Sequence, residues 1–360
     1  MRDNKMKKVL ILTLTLLLVA CGGERSPSNS EKAQENLKDI DKAQETLVKD
    51  HILPSVRAFL TAAKDFKTTA NEFCQTNETI TETKLTELQE KFKTLSIRWH
   101  TIEMFNFGPI NDDLFSPKRD AINYPINNTN ISHPRNFVAS HLNTTTGIDF
   151  SSLSPREKGL MMLEVLLYET AVSKEQEPAK IVDDYTTHPG KCYLLKGFSE
   201  LMESDAQYID DGWNIQHSGT TKPFKDIYLS GTLPNGSKSL VTLLGEIQKY
   251  LDYIKKRNVI SSTATLSKIS YDNADAVIHS IERLLEGTPG KASFFSVMEA
   301  TGNKNTVDLV KANIATAKQA ISSKDASTYN ATIAQLDGNF KREIADALEV
   351  SLGLNFSDGD

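Results

Sequence analysis

The chain has 360 residues, 39% of them hydrophobic and 24% charged, with 18 glycines and 12 prolines. This balance excludes wholesale disorder, a collagen-like repeat and a polytopic membrane protein, and leaves room for about two domains. A formal net charge of −6 also argues against a nucleic-acid partner, whose phosphates need a basic face.

Residues 1–20 read as a signal peptide outside the fold. Arg2, Lys5, Lys7 and Lys8 precede a mostly apolar run from Val9 to Ala20, too short to span a bilayer. The run ends in Leu18-Val19-Ala20-Cys21-Gly22, which resembles the bacterial lipobox. That resemblance implies lipidation at Cys21 and anchorage of the mature chain to a membrane. Gly22 occupies the place where Asp would favour inner-membrane retention, so the expected location is the cell envelope, at the outer membrane facing the periplasm. Residues 21–35 are polar and aperiodic, as a tether would be. Cys74 and Cys192 remain, an even pair in a compartment that permits disulfides; they read as a bridge, or else as two buried apolar thiols.

Helical periodicity dominates from there. Ile52, Val56, Phe59, Ala63, Phe66, Ala70 and Phe73 recur at three and four, as do Leu85, Leu88, Phe92, Leu95, Trp99 and Ile102, which predicts two long amphipathic helices. Residues 106–153 are rich in Asn, Thr, Ser and Pro and should be mostly irregular, functional or built from short elements. Ser154-Pro155-Arg156-Glu157 has the form of a capped helix start. The following GLMMLEVLLY of residues 159–168 is apolar on nearly every side and belongs in a bundle interior. Pro189-Gly190 breaks the chain before a helix from Cys192 to Trp213, and residues 218–237 are again irregular. Further stripes follow: Leu240 to Ile254, Val277 to Leu284, Val307 to Ile321, and Tyr329 to Leu348 with Gly353 as a terminal cap. No strand is predicted. The expectation is an all-α chain of two helical bundles with long irregular connections, divided as 36–190 and 191–360.

A nucleophile elbow, a P-loop, a dinucleotide fingerprint and HExxH are all absent. His100-Thr101-Ile102-Glu103 is the one literal HxxE; at i and i+3 the two side chains could reach one metal, or could simply hydrogen-bond at a helix flank. Glu164, flanked by Leu163, Val165, Leu166 and Leu167, needs a partner if buried: Arg98, Arg119 or a cation, in a structural ion pair or a site. His133, His141, His188, His217 and His279 have no ligand spacing and read as surface or loop residues.

Gly159 to Leu167 resembles the imelysin-like motif, GxHxxE followed by a hydrophobic tail. Phe73-Cys74, Trp99 with Phe107-Gly108-Pro109, Arg119 ahead of Tyr124-Pro125, Cys192 with Trp213, and terminal Asp358-Gly359-Asp360 support it. The chain is similar to the branch of predicted periplasmic iron-regulated lipoproteins. The resemblance implies two four-helix bundles related by an approximate internal twofold, with a functional groove between them that would involve Glu164, Gly159, Arg119 and Trp99. Met161 stands where the motif has histidine, and a thioether replaces imidazole neither as a base nor as a hard-metal ligand. The expectation is therefore a non-catalytic envelope lipoprotein that binds a ligand, a metal or a partner in iron acquisition. Iron or another divalent ion would be held weakly, and an envelope iron-uptake protein is the expected partner. The alternatives are a metallopeptidase of the imelysin class and a structural lipoprotein with no small ligand.

Overall fold

The computed structural model describes residues 29–350 and 352, apart from 76–77, 113–116 and 125–130. Cys21 and its lipobox, Pro125, Gly353 and Asp358-Gly359-Asp360 lie outside the described residues.

Helices run in chain order as α1 (Asn29–Leu47), α2 (Leu53–Phe73), α3 (Glu82–Ile102), α4 (Lys118–Ile122), α5 (Ser132–Ser140), α6 (Gly159–Tyr168), α7 (Pro178–Thr187) and α8 (Pro189–Asn214). After α9 (Phe224–Leu229) come α10 (Ser239–Arg257), α11 (Val259–Ser262), α12 (Ser270–Glu286), α13 (Phe294–Ala300), α14 (Lys304–Ser322), α15 (Ala326–Lys341) and α16 (Glu343–Ala347). Among the described residues there is no strand, only one antiparallel bridge between Thr232 and Lys238. No helix among them is long and apolar enough to cross a membrane.

The apolar stripes do what their spacing predicts, and every residue of the α2, α3, α10, α12 and α14 stripes is buried. α2, α3, α6 and α8 pack on one another, as do α10, α12, α14 and α15; α3 packs along α12 between these two groups, the first and second bundle, and the buried apolar residues of both form one continuous cluster. α8, which starts at Pro189, packs on α2. Pro189 and Gly190 open α8 rather than separate it from a bundle boundary, because proline at the first turn loses no helical hydrogen bond. Cys74, capping α2, is bridged to Cys192 in the first turn of α8.

Three other readings change. α1 begins at Asn29, inside the stretch read as a tether. It continues through a π-helical turn, Val48–Ile52, into α2. Pro54 cannot donate to the i−4 carbonyl, and Leu53 N–H bonds to Val48 O, five residues back, which widens the helix there. The capped start at Ser154 is a single 3₁₀ turn, Pro155–Glu157: extended Lys158 and Gly159 at φ +77° redirect the chain before α6. The last stripe is split at Arg342, whose φ of −125° and ψ of −73° end α15 before α16. Residues 106–153 hold α4, α5 and two 3₁₀ turns, Gly108–Ile110 and Phe150–Ser152.

Candidate functional site

The α3–α12 contact is flanked by a narrow cleft of about 60 Å³ between the bundles. α6 supplies Leu160, Met161 and Glu164; α3 supplies Phe92, Ser96 and His100; Tyr253, Asn273 and residues 262–265 face them from the second bundle. Ser96 Oγ donates across the junction to Asn273 Oδ1 at 3.0 Å.

Gly159 makes this arrangement possible without lining the cleft. A Cβ there would lie 2.4 Å from Ile122 O and 2.7 Å from Ala121 O, so only glycine lets α6 start against the end of α4. That close approach brings Asn123 and Tyr124, which follow α4, to the cleft wall.

Glu164 is buried, and its partner is neither Arg98 nor Arg119. Oε1 accepts hydrogen bonds from Leu266 N (3.1 Å), Ser267 N (2.7 Å) and Ser267 Oγ (2.6 Å). The donors sit in a tight turn closed by Lys268 N to Ala264 O at 2.8 Å, with Ala264 and Lys268 both at positive φ. Two successive backbone N–H groups and a hydroxyl thus do the work expected of a cation. Burial pushes the Glu164 carboxyl up, against the pull of these three bonds.

Glu103, only 1% exposed, is the second buried carboxylate. It lies in a smaller continuation of the cleft, about 20 Å³, that shares His100, Asn123, Tyr253, Thr263 and Asn273 with the first chamber. Oε1 accepts from Asn123 Nδ2 at 2.9 Å and Oε2 from Tyr250 OH at 3.1 Å. Arg119 Nε and His100 Nε2 each lie 3.9 Å away. His100 Nδ1 is 2.7 Å from Ser96 O; a carbonyl can only accept, so Nδ1 carries the hydrogen, and Nε2 is the ring atom on the Glu103 side. The Arg119 guanidinium lies 5.1 Å from the centre of the Tyr253 ring, whose hydroxyl burial pushes up to about 12. Trp99 does not reach the cleft: fully buried, it packs on Phe59 with ring centroids 5.3 Å apart in the first bundle.

These donors do not fit a metal. Among the described residues no three His, Cys, Asp or Glu side chains come together. Glu164 Oε1 is already taken by three donors, Met161 offers a soft thioether, and the His100–Glu103 pair holds two groups at most. His51 escaped the sequence reading. It is buried in the π-helical turn, with Nε2 2.9 Å from Ser280 Oγ on α12. The turn at 264–268 carries no sequence signal, since its work is done by backbone.

The sequence profile of the imelysin family (peptidase M75) matches residues 52–353. The chain belongs to the imelysin family. An imelysin-like protein from Psychrobacter arcticum 273-4 has a similar structure, with a TM-score of 0.68 and 14% identity over 88% of this chain and 98% of that one. A protein from Parabacteroides distasonis ATCC 8503, described as "a putative iron-regulated protein A precursor", matches with a TM-score of 0.62 and 14% identity over 86% and 95%. No curated protein sequence matches this chain. At such identities the likeness is one of fold, and it makes this an imelysin-like all-α protein.

Proposed function

We propose that this imelysin-family chain is a lipid-anchored envelope protein that binds a ligand in the cleft between its bundles during iron acquisition, without catalysing a reaction. The observation that carries the reading is the cleft itself. It is concave, walled by Phe92, Tyr124, Leu160 and Tyr253, and set with a few convergent polar groups, His100, Asn123, Glu164 and Asn273, the composition of a small-molecule pocket. Two arguments favour binding over chemistry. Met161 stands where a general base or ligand would, and both oxygens of Glu103 and Oε1 of Glu164 are already engaged by fixed donors. The role in iron acquisition is supported by the name of the Parabacteroides relative. The anchor is supported by the sequence around Cys21, and outer-membrane attachment facing the periplasm by Gly22. An envelope iron-uptake protein is the partner this reading expects. It also takes the two bundles as related by an approximate internal twofold, which superposing α2, α3, α6 and α8 on α10, α12, α14 and α15 would check.

The test is growth under iron chelation. Met161→Trp should fill the cleft and reproduce the deletion phenotype while the melting temperature holds, and Cys21→Ala should abolish metabolic lipid labelling. Growth of Met161→Trp equal to wild type would overturn the cleft. Unchanged expression with and without chelator would overturn the link to iron. Calorimetric titration of wild type with ferrous, ferric and zinc ions should give negligible heats, and Met161→His, which sets an imidazole in the cleft with His100 and Glu164, should give measurable ones.

A further inference from the structure

The α3–α12 junction has a second flank. Lys93 reaches Asp272 (2.9 Å), Ser96 reaches Asn273 (3.0 Å), and Ser280 Oγ donates to Thr101 O (2.7 Å), so the two helices run parallel and in step. With about 100° of turn per residue, Arg98 and Thr101 point away from the Glu164 side that Ser96 and His100 face. The same holds on α12 for Asp275 and His279 relative to Asn273. These residues line a separate groove of about 420 Å³ together with His51, Ser55 and Arg283.

Its charges are arranged for an anion. Arg98 and Arg283 are exposed, and neither guanidinium has a hydrogen bond or ion pair among the described residues. Of the acids around them, Asp272 is paired with Lys93 (2.9 Å) and Asp50, close to Arg283, with Lys291 (2.7 Å), while Asp275 stays in the groove wall beside His279 (3.2 Å). His51 closes the floor. Ser280 Oγ gives its hydrogen to Thr101 O, so His51 Nε2–H donates to Ser280 Oγ, and the ring is fixed and neutral. Burial first, and then the charge of Arg283, push the imidazole down to about 4. With Thr101 and Ser280 level, Arg98 stands about 4.5 Å before that level and Arg283 about 4.5 Å beyond it, an axial offset of about 9 Å.

We propose that this groove binds a small, elongated anion bearing two carboxylate or phosphate groups, one held by Arg98 and the other by Arg283. A guanidinium takes such a group bidentately, and a ligand spanning both gains over a one-ended anion by the second contact alone.

Calorimetry on the mature protein with α,ω-dicarboxylates of roughly four to eight carbons, with pyrophosphate, and with acetate as the one-ended probe tests it. The best two-ended anion should bind at least about tenfold more tightly than acetate. Arg98→Gln and Arg283→Gln should each reduce it to the acetate level, with the ligand-free melting temperature unchanged. Glu164→Gln, on the other flank, should leave it intact. Pyrophosphate above every dicarboxylate would identify phosphate groups, and the reverse order carboxylates. No two-ended anion binding better than acetate, or unchanged binding in the Arg98→Gln/Arg283→Gln double variant, would overturn the proposal.

Discussion

In the first bundle α2 and α8 are joined at one end by the Cys74–Cys192 bridge. Beside it the fully buried Lys191 donates to Asp184 Oδ2 at 2.7 Å and sits 4.3 Å from the centre of the Tyr185 ring, while Arg135 grips Glu169 with two bonds of 2.6 Å. In the second bundle α10 and α15 meet mainly through apolar stripes, with Gln248 and Lys255 both donating to Asp337 at 2.7 and 2.6 Å. The difference follows the connections. α14 and α15 are separated by Ser323–Asp325 alone, whereas α3 and α6 are separated by residues 103–158. Long stretches of mostly non-helical backbone have few helical hydrogen bonds to hold them, so point ties carry more of the burden.

Removing the bridge should break this comparison most forcefully. The sequence separation is 118 residues, and a loop of that size is worth about 4 to 5 kcal/mol in the chain-entropy model. Cys74→Ser/Cys192→Ser should lower stability by that order, with hydrogen exchange rising first in α2 and α8. Equal acceleration in α10 and α15 would mean that the bundles open as one unit.

Glu103 sits where the bundles meet, taking Asn123 from the first and Tyr250 from the second. Glu103→Ala leaves Asn123 and Tyr250 without their acceptor and Arg119 without its ion-pair partner at 3.9 Å, and should cost about 3 kcal/mol in denaturant midpoint. A loss below about 1 kcal/mol would show that the bundles are held together without it.

His51 gives the junction a dependence on acid. Its folded value of about 4 lies below the usual 6.5, so between those values the unfolded chain binds more protons and stability falls as pH is lowered through that window. The full loss, below pH 4, is about 3 kcal/mol, from about 1.4 kcal/mol per unit. His51→Gln, which keeps an N–H for Ser280, should flatten this slope; a slope unchanged between pH 6.5 and 4 would assign it to other groups.

How much of this was legible differs between the bundles for the same physical reason. The stripes of α10, α12 and α14 repeat at the helical period because each faces one core, and the sequence reading and the structure agree on them. In the first bundle the same rule found α2, α3 and α8, yet it had no purchase on residues 103–158, where position depends on contacts such as Gly159 against Ile122 O. At the site, Glu164 was legible as a buried carboxylate in need of compensation. What compensates it was not, because the N–H groups of Leu266 and Ser267 are carried by every residue type and become a binding feature only through the fold of the 264–268 turn. Trp99 admits two readings, on the buried stripe of α3 by its spacing and in the groove by the family resemblance; it lies in the core, because one residue beyond it, at His100, the helix has turned about 100° toward the cleft.

The smallest expected effect is also the sharpest probe of the cleft. Glu164→Gln keeps a carbonyl oxygen where three donors converge, so at neutral pH it should change stability by less than about 1 kcal/mol, while Glu164→Ala strands two N–H groups and a hydroxyl and should cost about 2 kcal/mol. The pH dependence separates charge from geometry. Burial holds the Glu164 carboxyl above its usual 4.5, so the folded protein keeps that proton at pH values where the unfolded chain has lost it. The stability this confers is complete below 4.5 and drains away as pH rises through the folded value, a slope opposite in sign to that of His51. Glutamine has no proton to lose. The difference in melting temperature, Glu164→Gln minus wild type, should therefore climb as pH rises above 4.5; a flat difference would mean that the three hydrogen bonds offset burial completely and that Glu164 stands ionised in the cleft throughout.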